Sequence, residues 1–299
     1  MNYSTNRRQF LSTSIAAAGA LAAQPVGAIE PINRVPGHQF KLSLAAYSYR
    51  DLLTGNPPKL TLSDFIQDCA RFGIEAAELT SYYFPESPDA EYLRRLKGEC
   101  FLQGLDISGT AIRNDFCLPA GEQREADIAH VKRWIEYADM LDAPVIRIFA
   151  GKVQPGQSMA DAEKLVIDGI EQCCQYAAKY GVFLALENHG GITTKVDDML
   201  RIVHGVESPW FGVNLDTGNF RTADPYGDLA KLAPYTINAQ VKVVMHPDGR
   251  PGEASDYNRL ADILMTTGYR GYVVLEYEEG GDPRQECPKA LEELRKAFT

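Results

Sequence analysis

Four acid or amide side chains follow apolar runs in the second half of the chain: Glu187 after Leu184-Ala185-Leu186, Asp216 after Val213-Asn214-Leu215, Gln240 after Asn238-Ala239, and Glu276 after Val273-Val274-Leu275. Three carboxylates brought to one pocket repel one another and lose hydration, so the pocket must supply positive charge. A divalent metal meets that need. An all-oxygen donor set of Glu187, Asp216, Gln240 and Glu276 favours Mn2+ or Mg2+ on hardness, with Co2+ or Zn2+ admissible. Such a metal, chelated by neighbouring oxygens of a hydroxy-ketone, polarises the carbonyl and stabilises the enediolate formed when the adjacent C–H loses its proton. Carboxylates on either side can take and return that proton.

The elements that must position these groups alternate. Strand candidates are 42–47, 76–79, 107–111, 145–149, 183–187, 211–215, 236–241 and 272–275, and helical patterns lie between them at 63–72, 91–103, 126–141, 161–180, 196–206, 256–267 and 285–297. Continuous apolar strands alternating with helices imply a parallel sheet covered by helices. Eight such units in about 260 residues fit a single (β/α)8 barrel, whose chemistry sits where strands end. The sixth helix is the weakest reading, because Asp224-Pro225 and Pro234 crowd it.

Around the four strand ends stand candidate substrate contacts. His189 follows Glu187 by two residues, and Lys242 follows Gln240 by two, placed to neutralise an enediolate oxygen. Arg147 interrupts an apolar run, so it should be buried and paired with a rim carboxylate. Tyr82, Tyr83 and Phe84 after the second strand, and Phe116 after Arg113-Asn114, are candidates for an aromatic wall on which a sugar stacks. Asn219 and Arg113 complete the polar set. His38, His130, His204 and His246 are assigned no chemistry.

The segments Leu186-Glu187-Asn188-His189-Gly190-Gly191, Asn214-Leu215-Asp216-Thr217-Gly218-Asn219, Gln240-Val241-Lys242 and Gly268 to Glu278, in this order, resemble the xylose isomerase-like barrel superfamily. Within it they are similar to the sugar phosphate isomerase/epimerase group, which includes tagatose epimerases, inosose dehydratases and, more remotely, endonuclease IV. The resemblance covers residues 41–298. It implies a xylose isomerase-like TIM barrel whose metal is held from strands five to eight, by Glu187, Asp216, Gln240 and Glu276, with Glu187 and Glu276 doubling as the acid/base pair. The chain departs from the family's His-x-Lys-Asp at Gln240-Val241-Lys242-Val243, and at Asn219, where tagatose-type epimerases place His.

The resemblance implies a metal-dependent isomerase or epimerase acting on a small carbohydrate. The alternatives are a lyase or dehydratase acting on 3-keto-glycosides or inosose-like compounds, and a catalytically silent carbohydrate-binding barrel. A phosphorylated substrate is disfavoured because no Gly-rich phosphate cradle is visible. With 40 acidic against 30 basic residues and a net charge of -10, the chain lacks the clustered Lys and Arg that nucleic acid requires. Beyond residue 30 no run of some twenty apolar residues suggests a membrane span.

Residues 1–28 contain Arg7-Arg8-Gln9-Phe10-Leu11, no acidic side chain, a mildly apolar stretch and a small-residue ending, and resemble a twin-arginine-type export signal. That implies a periplasmic or otherwise exported enzyme and divides the chain into a signal at 1–28, a linker at 29–40 and a catalytic barrel at 41–299. A homo-oligomer is compatible with such a barrel. The six cysteines form no C-x-x-C pair, which argues against zinc-ribbon and thioredoxin-like chemistry.

Overall fold

The computed structural model describes residues 29–298, so the export-signal reading of residues 1–28 lies outside the described residues. Eight parallel strands close a barrel: β1 (Gln39–Ala45), β2 (Ala76–Thr80), β3 (Asp106–Ala111), β4 (Val145–Ile148), β5 (Phe183–Glu187), β6 (Phe211–Asp216), β7 (Thr236–Val241) and β8 (Arg270–Leu275). Each strand pairs with its neighbour in the chain, and β8 closes onto β1 with Leu44 opposite Leu275.

Eight helices of two or more turns follow the strands, with one further single turn at Arg50–Leu53: α1 (Leu62–Arg71), α2 (Ala90–Leu102), α3 (Glu122–Leu141), α4 (Met159–Ala177), α5 (Val196–Gly205), α6 (Pro225–Leu232), α7 (Tyr257–Thr266) and α8 (Pro283–Ala297). Caps start them where the sequence supplies an oxygen. Thr61 and Asp64 form a reciprocal capping box on α1, and Ser158 accepts from the Asp161 amide on α4. The crowding expected at the sixth helix has the opposite effect. Asp224 is the N-cap and Pro225 the first residue, where a missing N–H costs nothing, and Pro234 sits in the turn beyond the helix end. Tyr47, read as the end of the first strand, lies in a 3-10 turn at Ala46–Tyr49, and α3 begins at Glu122, ahead of the expected Ala126.

The apolar core lies between barrel and helices, around fully buried Phe65, Leu96, Ile135, Ile170 and Met199. Inside the barrel the filling is polar. Ser43 and Ser108 meet at 2.7 Å, and a cluster of Glu78, Asn214, Asn238 and Gln240 bridges β2, β6 and β7. Residues 29–38 run beneath the barrel, where the Ile32 amide donates to the Pro234 carbonyl and Arg34 donates to the Thr236 carbonyl. All six cysteines are buried and unpaired. No helix among the described residues is long and apolar enough to cross a membrane.

Candidate active site

Alternation along a strand sends every second side chain inward, so 145 and 147, 185 and 187, 214 and 216, and 238, 240 and 242 form inward columns. The top of each column delivers a charge to one rim: Arg147, Glu187, Asp216 and Lys242. Glu276, immediately past β8, joins them, and its amide is fixed by the Val241 carbonyl. All five are buried.

Two ion-paired clusters result. Arg147 Nε lies 2.8 Å from Glu187 Oε2, with 5% and 3% of the two side chains exposed. The same guanidinium donates to the Ile112 carbonyl and to the Tyr82 hydroxyl, and Asn219 Nδ2 donates to Glu187 Oε1 at 2.8 Å. Lys242 Nζ stands among three carboxylates, 2.5 Å from Glu276 Oε2, 2.9 Å from Glu278 Oε2 and 3.3 Å from Asp216 Oδ2. Asn188 clamps Asp216 from below, accepting from its amide and donating to its carbonyl.

Electrostatics separate the carboxyl groups. Burial pushes Glu187 up to about 7, with Arg147 pulling against it. Burial also raises Asp216. At Glu276 burial acts the same way, but the Lys242 ammonium outweighs it and holds the carboxyl below its ordinary value. Burial pulls the Lys242 ammonium down, and Asp216, Glu276 and Glu278 outweigh it and hold the group well above its ordinary value. Below the rim, desolvation pushes Glu78 up to about 7.

Arg147, Glu187, Lys242, Glu276 and Glu278 line a chamber of about 160 Å³ together with Tyr47, Phe149 and His189. It adjoins a cleft of about 840 Å³, with Tyr82, Arg113, Phe149 and His189 common to both and Trp134 and Lys152 farther out. The His189 ring packs against Phe149 at 4.2 Å with a 31° tilt, and its desolvation, with Arg147 and Lys242 nearby, lowers its pKa and favours the neutral ring. Arg113 lies over the Tyr82 ring at 5.1 Å and makes no ion pair among the described residues. Tyr83 packs behind Tyr82 and against the core.

Phe116 is not part of the substrate wall. It is fully buried against α4, where a Cβ at Gly169 would meet its ring at 2.7 Å. The reason is that the chain turns inward after Arg113, and Phe149, at the end of β4, supplies the aromatic face instead. Phe149, Tyr47, Asn188, Glu78 and Glu278 were all absent from the sequence-based set. Glu78 did leave a signal, as an acid inside the apolar Ala76-Ala77-Glu78-Leu79.

Gln240 sits differently from a ligand at the rim. One inward layer below Lys242, its Nε2 donates to Glu78 Oε1 at 2.8 Å and its Oε1 accepts from Asn214 Nδ2 at 2.7 Å. Among the described residues no group of three or more His, Cys, Asp or Glu side chains converges as a metal cradle. Glu187 Oε1 accepts from Asn219 and Glu187 Oε2 is ion-paired with Arg147, while Asp216 Oδ2 is buried without a hydrogen bond and faces the Lys242 ammonium at 3.3 Å. Asp216, Glu276 and Glu278 are already ion-paired with the Lys242 ammonium, so a divalent ion could reach these carboxylates only if the ammonium gave way. As arranged, these side chains do not fit a divalent metal, and the compensating charge expected of one is carried by Arg147 and Lys242.

A family model described as Xylose isomerase-like TIM barrel matches residues 66–297. The chain is 25% identical over 247 residues to the putative hydroxypyruvate isomerase of Mus musculus, spanning 74% of this chain and 85% of that protein. It is 27% identical over 173 residues to the 2-oxo-tetronate isomerase of Haemophilus influenzae, spanning 54% of this chain and 64% of that protein. Among solved structures, D-psicose 3-epimerase superposes with a TM-score of 0.71 at 16% identity, covering 86% of this chain and 99% of that one. The 3-keto-D-glucoside 4-epimerase of E. coli does so with a TM-score of 0.65 at 17% identity, covering 87% and 99%.

Proposed function

This chain belongs to the xylose isomerase-like TIM barrel family, and we propose that within it the chain is a sugar isomerase or epimerase acting on a small hydroxy-carbonyl compound. The observation that carries this reading is the divergent pair Glu187 and Glu276 facing one chamber, the first pushed up to about 7 and the second held below its ordinary value. Carboxyl groups whose environments drive them apart are suited to opposite halves of a proton transfer.

Glu276, ionised, takes the proton from the carbon beside the carbonyl, and the C–H electron pair moves toward the carbonyl oxygen to give an enediolate. Lys242 and Arg147 are the buried cations of the chamber and stabilise that oxygen in a place where little water screens them. Glu187, protonated, then delivers a proton. Delivery to the neighbouring carbon, with the hydroxyl proton passing between the two oxygens, gives the isomer; delivery to the opposite face of the same carbon gives the epimer. Asn219 keeps the Glu187 carboxyl oriented.

The mouse and Haemophilus influenzae relatives are named for hydroxy-keto acids. Arg113, at the join of the chamber and the outer cleft, is placed to take such a carboxylate. With residues 1–28 read as an export signal, the enzyme works outside the cytoplasm on unphosphorylated substrates.

The test is incubation of the full chain with hydroxypyruvate, 2-oxo-tetronate and keto-hexoses, with products resolved by chromatography. At least one substrate should be converted to its isomer or epimer, and Glu187→Gln and Glu276→Gln should each slow conversion by roughly 10²-fold or more. Undiminished turnover in the double variant contradicts the reading. An unsaturated product would instead show a lyase, and binding without turnover a silent barrel.

A further inference from the structure

We infer that Lys242 permanently occupies the position that a divalent metal was expected to take, so that the electrophile of this site is an ammonium group built into the chain. Three independent features place it there. The first is its column: β7 ends at Val241, and Lys242 is the next inward position beyond Gln240, which, although level with Asp216 in register, is turned onto Glu78 and Asn214. The second is room. Gly218, after β6, lies so close that a Cβ there would meet Lys242 Cδ at 2.6 Å, so the glycine lets the lysine stem cross toward the acids. The third is anchoring at both ends. The Lys242 amide donates to Thr217 Oγ1 and its carbonyl accepts from Ser255 Oγ at 2.6 Å, while its ammonium has an acceptor on each of Asp216, Glu276 and Glu278.

The remaining donors are committed in ways that agree with this. Gln240 is turned down onto Glu78 and Asn214, and Glu187 is held by Arg147 and Asn219. An ammonium carries one positive charge and hydrogen-bond donors, where a metal would offer open coordination positions. A substrate oxygen would therefore be recognised through charge and hydrogen bonds. The inference rests on the proposed isomerase reading only for the catalytic role of Lys242; its occupancy of the position is separate, and so is its test.

The experiment measures metal, not turnover. The full chain is purified, exposed to excess Mn2+, dialysed and analysed by elemental mass spectrometry, with thermal unfolding followed in 1 mM Mn2+ and in EDTA. Wild type should retain far less than one equivalent and melt at the same temperature in both. Lys242→Ala, which leaves Asp216 and Glu276 without their cation, should bind Mn2+ and melt several degrees higher with it than in EDTA. Lys242→Arg, which keeps the charge, should remain metal-free. One equivalent of metal retained by wild type, with EDTA lowering its melting temperature, overturns the inference, as does a folded Lys242→Ala that ignores Mn2+. If Lys242→Ala does not fold, the wild-type and Lys242→Arg measurements still decide. None of these readouts depends on finding a substrate.

Discussion

Replacing Arg147 with Met isolates the largest electrostatic commitment of the site. Arg147 and Glu187 are 5% and 3% exposed and 2.8 Å apart, so the substitution leaves a carboxylate buried without its partner. Breaking a buried pair in this way costs about 3–5 kcal/mol. For a protein of this size that lowers Tm by roughly 6–20 °C. The cost depends on pH, and the sign follows from the carboxyl. Glu187 already lies near 7 with Arg147 pulling it down, and without Arg147 it rises further. A carboxyl raised in the folded state loses stability as pH climbs from its unfolded value, near 4.3, through its folded value. At pH 6 Arg147→Met therefore holds a neutral Glu187 and loses mainly hydrogen bonds, about 1–2 kcal/mol; at pH 8 it bears the full penalty. Urea unfolding at both pH values measures this, with Arg147→Met/Glu187→Gln as the control that should recover about 2 kcal/mol or more at pH 8. A single variant equally stable at both pH values and no worse than the double variant would refute the reasoning.

Three further outcomes follow from the same geometry. Because Glu187 delivers its proton from the neutral form, kcat/KM should fall as pH rises through about 7; the fall should persist in Glu78→Gln, whose carboxyl is also raised but lies below the rim, and a profile unchanged in Glu187→Gln would be inconsistent with the assignment. Arg113→Met should raise KM for hydroxy-keto acids by roughly tenfold or more, the loss of one charge-assisted hydrogen bond, while leaving neutral sugars unaffected in steady-state kinetics. Phe116→Ala should cost about 3–5 kcal/mol of stability in urea with KM unchanged, as expected of a core ring, whereas Phe149→Ala should raise KM.

The barrel was legible because each of its strands is buried on both faces and reads as a short apolar run, as Val213 and Leu215 around Asn214 illustrate. The acids Glu187, Asp216 and Glu276 were legible for the same reason: a carboxylate directly after such a run has only the rim to occupy. The layer was not. Gln240 and Lys242 share one inward column, and nothing in Gln240-Val241-Lys242 says which of them tops the strand; that depends on where β7 stops and on the space left by Gly218. The source of positive charge was missed with it, since a lysine two residues from a strand end reads equally well as a substrate contact. Phe116 and Phe149 differ only in how their loops turn. Glu278 joins the site through an irregular segment after β8, where alternation no longer applies.

Hydrogen exchange at the reacting carbon probes the enediolate most directly. The full chain incubated in D2O with three- to six-carbon hydroxy-carbonyl compounds, followed by proton NMR, should place deuterium on the carbon next to the carbonyl of at least one compound. Glu276→Gln should abolish that exchange. Isomer or epimer formed with no solvent deuterium at that carbon in wild type, or exchange undiminished in Glu276→Gln, would contradict the account.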